Sequence, residues 1–519
     1  MAAYFWVTGG TGNWNSASNW ALSSGGVGGV AVPGSGDTAA IDANSGSGTV
    51  TLDISPTIQT LTCTGFTGTL AFGTNTISLN STGTIFTGAT TMAVTGTPQI
   101  ICTNSSATSR TITPTAVTEA NSISFRVTAG TGTLSLSNGN YRDLDFTDGT
   151  NPTGYAGALA NVTMTIYGNF KASTGMTKTA GTGTFTFAAT SGTKTITTAA
   201  VVFDNPFTFN GVGGSWQLQD ALTSGATRAC TLTNGTLDLN GYTLTTGLFS
   251  SNNANTRTIA FGTGNITVTG VSGTVFSGPT STNTGLTITG TAQVNVTGIG
   301  TTTRTVNPGN SLATSAPISF TISAGSDTIN STAGMTFNNL TFTSGFTGTF
   351  GNVTRSIFGN LTLNSAITSF SSGASTLTFT GTGSRTITTA GETIDCPITF
   401  NGIGGTFAFQ DALTLGSTRA LTITDGTVQL KSGTTNTVGS FATSGTTQKF
   451  LQATTNGSQA TLSQASGTVN ASYLTIKDSA ATGGAVFNAF TSNANVNSGN
   501  NTGWKFGSAN SAGGFLQFF

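Results

Sequence analysis

The sequence predicts an all-β chain, wound as an elongated, right-handed parallel β-solenoid (β-helix). Three observations carry this. Apolar and polar residues alternate with period two, Gly and Asn breaks stand where helices would otherwise connect strands, and one long stretch of the chain occurs twice. Alternation is plain in Thr231 to Leu239, Ile259 to Thr269 and Thr376 to Thr380, as a strand with one buried face requires. Nowhere does a 3.6-residue pattern run for three turns, and β-branched Thr, Val and Ile dominate between the breaks.

Composition sets the class. Only 6% of the 519 residues are charged and the net charge is zero, yet the chain carries 34 Phe and is 36% hydrophobic. Soluble globular proteins are roughly 25% charged. A disordered chain is kept in solution by net charge and lacks large apolar side chains, so this one must fold around a long core. Its surface is then Thr, Ser, Asn and Gly, which suits a rigid body whose neutral faces pack against copies of itself.

The same numbers exclude partners. Sixteen dispersed basic residues leave no electrostatic footprint for nucleic acid. No stretch approaches the ~20 apolar residues of a membrane helix, so no membrane insertion is expected. Met1 to Gly10 has neither a basic n-region nor an adequate apolar run, which reads as export without a cleaved leader or release by lysis. Cys63, Cys102, Cys230 and Cys396 are scattered without metal or disulfide spacing and read as buried free thiols.

The duplication decides the architecture. Pro206 to Thr236 and Pro397 to Thr427 agree at 20 of 31 positions, and the match extends backwards through Ile123-Ser124-Phe125 against Ile318-Ser319-Phe320. Residues from about 83 to 270 are thus repeated from about 273 to 450. In stacked coils each turn contacts only its neighbours, so copying several lengthens the molecule harmlessly, as a closed barrel or propeller could not allow. Coils of ~20 to 30 residues at ~4.8 Å would give a rod on the order of 80 to 120 Å.

A basic residue ahead of a strand start recurs at Arg110, Lys194, Arg257, Arg304 and Arg385, with variants at Arg228, Arg355 and Arg419, which is half of the 16 basic side chains. The expected place is a corner where a long cation reaches water. Four segments follow: 1–55 as an N-terminal cap or attachment module, 56–270 and 271–450 as the two solenoid halves, and 451–519 as a C-terminal cap or oligomerisation module. Caps are needed because terminal coils would otherwise offer open strand edges.

The opening Trp14-Asn15 to Trp20, the Gln219-Asp220-Ala221-Leu222 and Leu232 to Leu244 runs, and the Gly499-Asn500-Asn501-Thr502-Gly503-Trp504 ending together resemble β-solenoid virion proteins of tailed bacteriophages. The same run is similar to repeat-rich bacterial surface adhesins. The resemblance implies a fibre, spike or capsid decoration on the virion surface, often a homotrimer, touching other virion proteins and host surface glycans. A bacterial adhesin or surface-layer protein is the second expectation and a polysaccharide-degrading tailspike the third.

No enzyme is expected, and neither catalytic, cofactor nor metal residues are assigned. The chain has no His, which removes Ser-His-Asp and Cys-His triads and His metal sites. The one acidic cluster is Asp143, Asp145 and Asp148, after Tyr141-Arg142. In a strand Asp143 and Asp145 share a face and could bind a cation or act on a glycoside; the competing reading is a solvated turn, favoured because the counterpart Phe337 to Phe342 has no acid. Asp220 with Asp411, and Arg228 with Arg419, recur in both copies and read as structural slots, through turn hydrogen bonds or an Asp to Arg pair near the surface. Gly211 to Gly214 and Gly402 to Gly405 lack the Lys and helix of a phosphate loop and read as turns. The aromatic tail Phe515 to Phe519 is expected to pack between subunits or onto its own last coil.

Overall fold

The computed structural model describes residues 1–7, 9–114, 118–150, 152–279, 285–309 and 318–507. It is a parallel β-solenoid, nearly all β. The chain divides into two compact units, one built from residues 1–266 with 285–291 and the other from 267–284 with 292–519.

In the first unit the strands stack in parallel rows. One row runs Ala3–Trp6, Thr38–Ala40, Thr60–Thr62, Gly83–Thr87, Arg110–Thr113, Leu134–Leu136, each paired with the next. A second contains Thr76–Leu79, Gln99–Cys102, Ile123–Val127 and Gly139–Asp145. Apart from local bulges the strands pair in register, so like residues stack on like: Thr165, Thr186, Thr208 and Thr231 form one outward row over four coils. Inward, Phe185 lies on Phe207, and Phe187 stacks on Phe209 with centroids 5.1 Å apart and planes 15° apart. Period-two alternation thus becomes an apolar interior and a hydroxyl-covered exterior.

The first coil of this unit differs. Ala3–Trp6 pairs antiparallel with Trp20–Ala21, and Trp6, Trp14 and Trp20 pack edge to face at 5.2 and 4.8 Å. All three rings are buried, and Trp20 Nε1 donates to Trp14 O at 2.8 Å.

The second unit has the same construction. Gly273–Ser277, Arg304–Asn307, Thr328–Asn330 and Thr349–Phe350 stack in parallel, as do Leu377–Phe379, Ile398–Phe409 and Ala420–Leu430. Ser356, Thr378, Thr399 and Thr422 repeat the outward hydroxyl row. Residues 449–505 continue the parallel pairing through Lys449–Ala453, Leu474–Lys477 and Val496–Asn497, with Trp504 packed 5.1 Å from Phe487.

The duplicated strands Phe207–Leu218 and Ile398–Phe409 show an identical sequence of buried and exposed positions over twelve residues. Each bends at its Gly-rich centre, so that its two halves pair with two different strands of the preceding coil. A Cβ on Gly211 would lie 2.0 Å from Ala189 O and 2.4 Å from the Trp216 ring, and one on Gly402 2.3 Å from Gly381 O. The coils approach too closely there for any side chain. These glycines form a corner between two faces.

The recurring cations overturn one expectation. Arg110, Arg257, Arg304 and Arg355 are buried rather than water-facing, whereas Lys194, Arg228, Arg385 and Arg419 are half-exposed. The reason is parity: in Arg110-Thr111-Ile112 the Arg shares the inward face with Ile112. Three of them close the corner loop that precedes their own strand. Arg110 donates to Asn104 O at 3.0 Å, Arg304 to Gly298 O at 2.5 Å, and Arg257 to Ser251 O, in every case six residues back.

Candidate functional site

The fold separates the acidic triplet. Asp143 and Asp145 lie on the strand Gly139–Asp145, whereas Asp148 sits in the following turn, accepting from Thr150 N at 2.9 Å and Thr150 Oγ1 at 3.1 Å. The register against Ile123–Val127 shifts between the pairs Ile123/Tyr141 and Phe125/Leu144. That bulge is what turns Asp143 outward. Strict alternation from buried Tyr141 would have buried it, but with Arg142 and Asp143 inserted both Tyr141 and Leu144 point in, and the two carboxylates flank Leu144 on the outer face.

Both line a cleft of about 340 Å³ on that face, together with Gln99, Ser124, Arg126, Asn169, Lys171 and Thr195 from neighbouring coils. Arg126 is in register with Asp145, and Asp145 with Lys171, so a cation, an anion and a cation succeed one another over three coils. Arg126 Nε approaches Asp145 Oδ2 at 3.1 Å, with side-chain exposures of 31% and 19%. Asp145 Oδ1 accepts from Thr147 N at 2.9 Å and Thr147 Oγ1 at 2.7 Å. Asp143 accepts from Ser124 Oγ at 2.7 Å on one oxygen, and from Asn169 N at 2.7 Å and Asn169 Nδ2 at 3.0 Å on the other.

Every carboxylate oxygen here therefore has a donor. The unused hydrogen-bonding capacity belongs to the other groups: the terminal nitrogens of Arg126, Lys171 Nζ and the Gln99 amide have no hydrogen-bond partner among the described residues. Among the described residues no three His, Cys, Asp or Glu side chains are grouped to hold a metal ion. Arg126, Lys171, Asn169 and Gln99 were not singled out by sequence. The signal that could have found them is spacing by one coil, since Arg126 to Asp145 is 19 residues and Asn169 to Asp143 is 26.

The other singled-out residues serve the coils. Asp220 accepts from Thr198 N and Ala199 N, both at 2.7 Å, and Asp411 does the same for Thr389 N and Ala390 N. Ala199 and Ala390 have φ of 50° and 55°, so each carboxylate holds a left-handed corner of the coil before it. Arg228 and Arg419 pair not with these aspartates but with Asp204 and Asp395, each at 2.7 Å. Hydrogen bonds from Arg419 and Ser372 hold the Asp395 carboxyl below its ordinary range. Cys63, Cys102, Cys230 and Cys396 are buried free thiols, and burial pushes Cys63 and Cys102 up to about 12. The tail Phe515 to Phe519 lies outside the described residues. No protein-family model matches the chain, and no curated protein or solved structure matches it significantly.

Proposed function

We propose that this chain is a structural surface protein and not an enzyme, displayed on a tailed-phage particle as a rigid fibre, spike or capsid decoration and contacting the host surface. The observation that carries the reading is the neutral, in-register exterior. The rows Thr165–Thr186–Thr208–Thr231 and Ser356–Thr378–Thr399–Thr422 offer repeated hydroxyls with hardly any charge. A lone soluble protein keeps itself apart from its neighbours by surface charge, whereas a face of this kind favours lateral packing against identical faces. A homotrimer of such coils, wound right-handed and closed at 1–55 and 451–519, is the assembly this reading favours. The engagement of both cleft carboxylates by donors of their own supports binding over hydrolysis.

Immunogold electron microscopy on particles released from cells carrying the gene tests the placement, and light scattering of the purified chain gives the oligomer. Labelled particles and a trimeric mass are expected. Label on the surface of cells that release no particles would replace this reading with an adhesin. Release of reducing ends from host polysaccharide, abolished by Asp143→Asn or Asp145→Asn, would replace it with a tailspike hydrolase.

A further inference from the structure

The duplication provides an internal control for the charged cleft. Register equates the two copies residue by residue: Phe125, Leu144 and Phe170 pair in succession in the first, as Phe320, Leu340 and Leu361 do in the second. Arg126, Asp143, Asp145 and Lys171 therefore correspond to Thr321, Asn339, Thr341 and Thr362.

The neutral scaffold around them is kept. Asn169 Oδ1 accepts from Thr195 N at 2.8 Å, and Asn360 Oδ1 from Thr386 N at 2.8 Å. Asn169 N donates to Asp143 Oδ1 at 2.7 Å, and Asn360 N to Asn339 Oδ1 at 2.8 Å. The second copy thus builds the same coils with all four charges removed. Winding and stacking do not require them, although the chain as a whole is only 6% charged.

We propose that the Arg126–Lys171 cleft binds an oligosaccharide carrying anionic substituents, carboxylate or phosphate. This rests on the reading of the chain as an outward-facing surface protein. Three features select the ligand. Apart from the Gln99 carbonyl oxygen the unsatisfied groups are donors, two of them cationic, and a guanidinium fork whose Nε is already anchored on Asp145 is set to take a planar oxyanion. The site is extended, because a second cleft of about 330 Å³ shares Gln99, Ser124 and Asp143 with the first and continues over Thr74, Thr76 and Thr97. A single small ion would leave most of that length empty. The walls are hydroxyls, amides and charges without exposed aliphatic side chains, so the apolar side chains of a peptide would find no seat there, whereas sugar hydroxyls would.

The test uses the full chain and the triple variant Arg126→Thr/Asp145→Thr/Lys171→Thr, which installs the residues of the second copy. Calorimetric titration with tetragalacturonate, its neutral methyl ester and a glycerol phosphate oligomer separates carboxylate, uncharged and phosphate ligands. One charged oligomer is expected to bind, more weakly as salt is raised, and to lose at least tenfold in affinity in the variant while the melting temperature stays in place. Binding of the neutral ester alone, binding of none of the three, or an unchanged affinity in the variant overturns the proposal. A chain found on particles but blind to all three oligomers would fail here and leave the surface role standing. Glycan binding by a chain absent from particles would do the reverse.

Discussion

Asp327→Ala removes a carboxylate enclosed with Arg304 where neither side chain has any exposure. The guanidinium donates to Asp327 through Nε at 2.7 Å and Nη2 at 2.8 Å, and also to Gly298 O at 2.5 Å and Ala324 O at 2.6 Å. With no solvent to screen the survivor, removing one member of a buried pair costs about 3–5 kcal/mol. The lower end applies to Asp327→Ala, because both carbonyl bonds remain. The first copy shows that this is tolerable: Arg110 is held by Asn104 O and Ala129 O, with Gly132 standing where Asp327 does. Arg304→Met lies at the upper end, near about 5 kcal/mol, since the Asp327 carboxylate then loses both of its side-chain donors. The double variant Arg304→Met/Asp327→Ala leaves no stranded charge and should fall within about 1–2 kcal/mol of the parent. Solenoid stability is local, so the cycle is read by hydrogen exchange at the strands Arg304–Asn307 and Thr328–Asn330 alongside urea denaturation. Single variants that each cost under about 1 kcal/mol, or a double variant as costly as their sum, would refute the buried-pair account.

Three further outcomes follow from the packing. Gly211→Ala should destabilise by about 3 kcal/mol or more because its Cβ meets Ala189 O and the Trp216 ring, whereas Gly404→Ala, with φ of 69° but open space, should cost only about 1–2 kcal/mol; thermal melts that reverse the order defeat the corner assignment. Arg355 is buried, none of its three side-chain nitrogens has a hydrogen-bond partner among the described residues, and it lies 3.9 Å over the Phe350 ring, while the first copy has Met164 at that place. Arg355→Met is therefore expected to melt at or above the parent temperature. The four thiols should resist a thiol reagent at pH 8 until urea is added, since burial pushes Cys63 and Cys102 up to about 12 and Cys396 to about 11 from 9.0. The folded state then keeps protons that the unfolded state releases, so stability falls as pH rises from about 9 towards 11–12. Lys178, held down at about 8 from 10.5 by burial, acts in the opposite sense, as do Arg355, held down at about 9, and Lys449, but these are outnumbered by the four thiols together with Tyr155, which burial pushes up to about 12. A urea midpoint that climbs from pH 9 to 11 would contradict this, and Cys63→Ala should flatten the fall.

The fold class was legible because alternation, Gly breaks and the duplication all constrain the same thing, the path of the backbone. Period-two runs such as Thr231 to Leu239 became strands with one buried face. The duplicated Pro206 and Pro397 segments took the same burial pattern. The cleft was legible only in part. Asp143 and Asp145 stood out as adjacent acids, but their partners Ser124, Arg126, Asn169 and Lys171 come from other coils, and coil length is uneven. Arg257 pairs with Leu286 whereas Cys230 pairs with Phe249, so no fixed offset identifies a neighbour. The buried arginines were misplaced for a different reason. Alternation in Arg304-Thr305-Val306 already put the cation on the inward face, and the ordinary preference of charge for water overrode that pattern.

Those inward cations have a structural task in the coil corners. A coil that turns a corner leaves backbone carbonyls facing the interior without strand partners, and a buried carbonyl must find a donor. An apolar residue supplies none, and a short hydroxyl does not reach; an arginine entering the next strand brings five N–H groups on a long stem. Arg110, Arg257 and Arg304 each return to the carbonyl six residues back, so the closing of a corner loop is encoded beside the strand it precedes. Three of the 16 basic side chains are thereby engaged inside, on backbone groups, while the faces carry few charges because the whole chain does. On such a surface the grouping of Arg126, Asp143, Asp145 and Lys171 cannot be ascribed to a general need for solubility. Nor can it be ascribed to coil geometry, which Thr321, Asn339, Thr341 and Thr362 satisfy equally well. What remains is an interaction made by one copy and not by the other, the freedom that duplication gives a fold whose coils answer only to their neighbours.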